Sequence, residues 1–135
     1  MSMKAPLVST TRVPVGSVIA ASDLTSPLGI APFAGTITGV RYIPTSVLTG
    51  ADTNSRTLAV YNRGQAGAGT TKAAEKAFTS GVNAPANDAT DITLSGTGAN
   101  LVVAAGDALD WESLHVGGTG LADPGGVVEV DITRS

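Results

Sequence analysis

The chain has 135 residues, of which 42% are hydrophobic and only 14% charged, with a formal net charge of −3 and no cysteine. That length suits one domain with its own core, and the missing cysteines exclude disulfides, thiolate metal sites and a cysteine nucleophile. Charge this sparse, against about a quarter of the residues in an average domain, leaves an exterior of Gly, Ala, Ser and Thr. Such a surface suits contact with other protein better than capture of a charged ligand.

The few charges are unevenly spread. Residues 1–87 carry a balance of +4 and residues 88–135 a balance of −7. Interleaved strands would bring the two halves together and blur the difference; complementarity between subunits is the alternative reading. No run approaches the ~20 apolar residues of a membrane span. Near the N-terminus Arg12, Pro14 and several hydroxyls interrupt any apolar stretch, which argues against a secretory signal.

Residues 1–16 hold two prolines and no helical period, so they are expected to form an extended arm or an edge strand. Residues 17–135 are expected to form the domain proper. Val18-Ile19-Ala20 predicts a short strand, followed by an irregular crossing through Pro27 and Pro32. From Gly35 to Pro44, Thr, Ile, Val and Tyr predict a strong strand. Val40 and Tyr42 share a face, Ile37 is out of phase, and Gly39 is placed to absorb the slip as a bulge. Arg56 to Asn62 alternate again, with Leu58 and Val60 inward and Thr57, Ala59 and Tyr61 outward. Lys72 to Phe78 tolerate either two helical turns or a strand, and the strand is preferred because every neighbour is one. Short strands at Ile92–Leu94 and Leu101–Val103 follow.

The last stretch, residues 106–133, is the most regular. Leu109 and Trp111, with Ser113 in phase, alternate against Asp110 and Glu112. Val128, Val130 and Ile132 alternate against Glu129, Asp131 and Thr133. Period two marks strands with one face on a core and one in water. Between them Gly117 to Gly126 hold five glycines and an Asp123-Pro124-Gly125 turn. About eight strands at roughly ten-residue spacing predict an all-β, single-domain β-sandwich. Its expected core anchors are Tyr42, Leu58, Val60, Leu109, Trp111, Val128, Val130 and Ile132.

No constellation for catalysis emerges. His115 is the single histidine and no Gly-x-Ser-x-Gly elbow accompanies it. The glycine runs lack phosphate-loop spacing. Asp110 with Glu112, and Glu129 with Asp131, pair carboxylates on one strand face, but a hard cation wants six to eight oxygens, so solvated faces are expected. Scattered bases and five aromatics argue against nucleic acid. No enzyme activity, cofactor or metal is therefore expected. Trp111 is read as a core anchor, with sugar stacking as the rival role.

The order of segments carries a resemblance. Gly35–Pro44, a polar connection and Arg56–Asn62 form one block; Ala99–Asp107 running through Thr119–Gly126 to Val130 forms a second. Together, over roughly residues 30–133, they resemble the small head-decoration, or minor capsid, proteins of tailed bacteriophages, especially those of actinobacterial hosts. The resemblance implies a jelly-roll sandwich that binds the outside of an assembled shell and cements its major capsid protein, as a homo-oligomer, often a trimer. It also implies shell contacts from the N-terminal arm. The contact residues expected on that basis, together with the glycine-rich loop, are Lys4, Pro6, Leu7, Val8, Arg12, Val13, Leu121, Asp123 and Pro124. The rival is a fibre module binding a host-surface glycan through Trp111 or the 117–126 loop.

Overall fold

Alternating apolar residues need a second apolar face to cover them, and the chain supplies one by folding into two stacked sheets. The computed structural model describes residues 7–135. Seven strands have seven or more residues: β1 (Val8–Val15), β2 (Leu24–Ile30), β3 (Gly35–Pro44), β5 (Ser55–Gly64), β6 (Thr71–Phe78), β10 (Ala108–Val116) and β11 (Gly126–Arg134). Four have two residues: β4 (Leu48–Thr49), β7 (Asn83–Ala84), β8 (Thr90–Asp91) and β9 (Val102–Val103). The only helical element among the described residues is a 3-10 turn at Gly98–Leu101.

One sheet has the order β1-β11-β3-β8, with β9 also on β3; the other runs β2-β10-β5-β6. Every pairing is antiparallel. Apart from β5–β6 and β8–β9, which stay within one sheet, the long strands pass back and forth between the two sheets, and the first and last strands lie side by side. This connectivity is that of a jelly roll, a double-sheet solution to packing strands with one apolar face. At one side the sandwich is stitched shut. Residues 90–95 bond to β3 through Ile92 N–H and the Val40 carbonyl, and to β6 through Glu75 N–H and the Thr93 carbonyl. At the other side β1 and β2 are both outer strands and pack together.

All eight expected anchors are buried in one continuous core. Trp111 and Tyr42 lie at its centre, their rings 5.4 Å apart and tilted by 38°, a geometry aromatic pairs favour. The slip between Ile37 and Val40 is a bulge: Asp131 faces Gly39 while Ile132 faces Ile37, and Ile37, Val40 and Tyr42 all point inward. Lys72 to Phe78 form strand β6.

Two expectations need correction and a third resolves between its alternatives. The segment at Val18 makes only an isolated bridge to Asp123, and the strand lies later, at β2. Pro27 is tolerated there because β2 pairs only with β10 and leaves its other edge free. Ala59, expected outward, is buried; a methyl group between Glu112 and Glu75 on the flanking strands is too short to reach water. Finally, of the two readings of residues 1–16, extended arm or edge strand, Val8–Val15 takes the edge strand, pairing with β11 along its whole length.

Replacing Trp111 with alanine is expected to cost about 3–5 kcal/mol, the usual penalty for truncating a buried aromatic. Urea unfolding measures this directly. Val47→Ala, at an exposed turn, should stay within about 0.5 kcal/mol.

Candidate interaction surface

Four connections gather at one end of the sandwich: 16–23 between β1 and β2, 45–54 after β3, 79–89 after β6, and 117–125 between β10 and β11. Two of them, 16–23 and 117–125, are held by a charged residue that the strand pattern places inside. Arg56 lies in phase with Leu58 and Val60, so its side chain enters the sandwich, where it is wholly buried. Its guanidinium donates to the Ser113 hydroxyl at 3.0 Å, to the carbonyls of Ile19, Ala20 and Ser22 at 3.2, 3.3 and 2.9 Å, and to the Leu121 carbonyl. One side chain thus ties two loops to the sheet.

The countercharge is Asp123, which is also buried. It accepts from the Ser113 hydroxyl at 2.7 Å, the Gly125 N–H at 3.0 Å and the Tyr42 hydroxyl. Ser113 therefore relays between cation and anion. Burial pushes the Tyr42 phenol above its usual range, and Asp123 adds to that shift. Burial lowers the Arg56 pKa, with Asp123 opposing. Exchanged backbone bonds between Val18 and Asp123, of 2.8 and 2.9 Å, close the two loops on each other. Glycine is required where they meet. Gly120 and Gly125 have φ of +67° and +79°, and a Cβ would strike the Ala20 carbonyl oxygen at 2.3 Å or the Ser17 nitrogen at 2.7 Å.

These contacts reassign much of the expected contact set. Asp123 is buried and points into the fold, while Leu121 is partly buried and packs against the core. Pro124 is half-buried, Val13 packs on the core, and Leu7, Val8 and Arg12 are exposed. Lys4 and Pro6 lie outside the described residues. Beside Pro124 runs a groove of about 420 Å³ lined chiefly by Pro14, Ile43, Pro44, Asn87 and Val127, with no charged side chain. Asn87 there has φ of +58° and is the single non-glycine residue in the left-handed region among those described, a conformation asparagine tolerates best.

The paired carboxylates are not bare. Arg41 spans both members of one pair, donating to Glu129 at 3.0 Å and to Asp131 at 2.9 and 3.1 Å. Arg12 reaches Glu129 and Thr10 reaches Asp131. Arg63 spans the other pair, reaching Asp110 and Glu112 at 2.8 Å each. Bases from the first half of the chain thus meet acids from the second inside each sheet, so part of the charge asymmetry is consumed internally.

His115 Nδ1 lies 2.6 Å from Asp23 Oδ1, which also accepts the His115 backbone N–H at 2.8 Å. Those bonds hold the Asp23 carboxyl below its ordinary range. The pair fastens the start of β2 to β10, with no hydroxyl bonded to it among the described residues. No cluster of three or more His, Cys, Asp or Glu fit for a metal is found among the described residues. Trp111 is wholly buried, so it has no face for a sugar, and that part of the glycan reading fails.

No protein-family model matches the chain, and no curated protein matches it. Among solved structures it is similar to that of infectious bursal disease virus, Gx strain, with a TM-score of 0.47 and 12% identity over 97% of this chain and 32% of that one. For the Gt strain the TM-score is 0.40 and the identity 13%, over 96% and 33%. The chain spans about a third of the length of these two. The fold assignment rests on the strand order above.

Two outcomes follow from the ion pairs. Asp123→Ala leaves the Arg56 charge buried without its anion and should cost about 3–5 kcal/mol. Paired with Arg56→Met, it should cost less than the two single changes together, as read from urea midpoints. Separately, Arg41 holds the Asp131 carboxyl below its usual range, as Arg12 and Arg41 hold that of Glu129. Folded-state values below the unfolded ones make this contribution complete above about pH 4 and lost as pH falls through the folded values. Arg41→Ala should therefore lower stability at neutral pH and flatten its decline in acid, as measured by urea unfolding across the pH range.

Proposed function

We propose that this chain is a structural virion protein, not an enzyme, that binds the outer surface of an assembled bacteriophage shell and cements its major capsid protein. The observation that carries the reading is the groove at the loop end described above: a preorganised, proline-lined surface without charged side chains, to which Pro124, Gly125 and Gly126 contribute from the 119–126 segment of the resemblance to head-decoration proteins. Loops locked by Arg56 and Asp123 lose little entropy on docking, and preorganisation of this kind raises affinity. Neutral, small side chains permit close backbone approach.

A clamp that binds only the assembled lattice stabilises it by mass action. Joining copies into a homo-oligomer, with the trimer implied by the resemblance, makes several weak contacts act at high effective concentration. The partners on this reading are the shell protein and further copies of the chain, with nucleic acid and membrane playing no part. Its place is the outer surface of the virion.

The test adds purified protein to shells of a tailed phage assembled without their decoration layer, followed by imaging and heating. Density at regular lattice positions and a higher disassembly temperature are expected. Pro124→Glu with Val127→Lys, which charge the groove, should reduce occupancy while the free protein keeps its melting temperature. Absence of ordered density, or binding to host cell-wall glycan instead, contradicts the proposal.

A further inference from the structure

Each sheet end needs a reason not to pair with other chains, and four edges can be compared. The outer edge of β6 is taken by residues 93–95, through Glu75 N–H to Thr93 and Ser95 N–H to Ala73. β8 and β9 have two residues each. β2 is broken by Pro27, a register shift and Gly29 at φ +102°. β1 alone is long and regular with its outer backbone edge unpaired among the described residues, although it packs beside β2: eight residues in unbroken register with β11.

The register also shows which groups β1 leaves free. Arg134 N–H bonds to the Leu7 carbonyl, whereas Val8 faces Thr133. In an antiparallel ladder this makes Leu7, Ser9, Thr11, Val13 and Val15 the residues bonded to β11. Val8, Thr10, Arg12 and Pro14 then turn their backbone groups to the open edge. Pro14 has no N–H, so the free donors are those of Val8, Thr10 and Arg12, symmetric about Thr10.

We propose that β1 pairs with β1 of a second copy, antiparallel about a two-fold axis through Thr10, joining two β1-β11-β3 sheets into one. In this register Thr10 faces Thr10 and Val8 faces Arg12, so every free donor of both copies finds a carbonyl and Pro14 falls outside the ladder. Leu7 comes opposite Val13 and Val8 lies along the Arg12 stem, covering two side chains that are 47% and 51% exposed in the single chain. Arg12, with 70% of its side chain exposed, reaches past Thr10 of the second copy toward Asp131, to which that threonine is bonded. The two Arg12 side chains stand four residues apart along the strands and do not oppose each other. An interface that is the same patch on both copies is the ordinary route to a closed pair. This contact stands apart from shell binding and joins copies whether or not they also meet about a three-fold axis.

The chain has no cysteine, so one introduced thiol reports the contact cleanly. Facing residues in a bonded antiparallel pair lie about 5.5 Å apart at Cα, within disulfide range. Thr10→Cys should oxidise to a covalent dimer roughly tenfold or more faster than Thr25→Cys on the β2 edge, because the paired thiols have a high effective concentration. Sedimentation of the unaltered protein over a concentration series should show a dimer or an even-numbered assembly. Thr10→Pro, which removes an edge donor and no backbone bond to β11, though it loses the hydroxyl bond to Asp131, should abolish association while the circular dichroism spectrum is kept. A monomer at all concentrations, equal oxidation at both positions, or an assembly that Thr10→Pro leaves intact overturns the proposal. Shell binding by a protein that fails this test would leave the decoration reading standing, and a dimer that ignores shells would do the reverse.

Discussion

A guanidinium buried on the apolar face of a strand must find an oxygen for each donor or cost several kcal/mol. Arg56 solves this by drawing in backbone rather than side chains. Four carbonyls, from residues 19, 20, 22 and 121, and one serine hydroxyl surround it. Two loops that sequence composition would leave mobile are thereby bound to the sheet by hydrogen bonds from one side chain. Asp123 supplies the charge balance and Tyr42 connects the network to the aromatic centre of the core. The end of the sandwich is consequently a fixed surface.

The same economy governs the outer faces. Each sheet places an arginine from the third or fifth strand across two carboxylates spaced i and i+2 on the adjoining strand. Such forks are geometrically specific, and they fix register on the solvent side while Trp111, Tyr42 and the valines of β11 fix it inside. With the charges matched within each sheet, little net field is left to steer a charged ligand. What remains outside is largely hydroxyl, methyl and proline surface, with single charges such as Asp52, Asp88, Asp91 and Arg134 scattered over it.

Much of this was legible in the chain. Period-two alternation located β3, β5, β10 and β11 and gave their inward residues, because each buries one full face. The glycine beside Ile37 correctly signalled a bulge. β2 stayed hidden because Pro27 and Gly29 interrupt its alternation, and a single apolar residue, Leu28, is all that it fully buries. Asp-Pro-Gly read as a turn, whereas Asp123 forms a backbone bridge to Val18 and both its side chain and Gly125 are buried. The missed signal was Arg56 itself, a charge in phase with Leu58 and Val60, together with Ser113 in phase with Leu109 and Trp111. Polar residues on the buried phase of two adjoining strands announce an internal network. Their partners, contributed by loops far off in sequence, could not be read from spacing.

The central claim is that the loop end is part of the core and not a flexible rim. Amide hydrogen exchange of Val18 and Asp123, whose mutual bonds close the two loops, tests it most directly. Those amides should exchange only by global unfolding, with the same protection as amides of β10 and β11. In Arg56→Met that protection should fall while the strands keep theirs relative to the variant's own stability. Loop amides of the unaltered protein that exchange orders of magnitude faster than the strands would contradict the account.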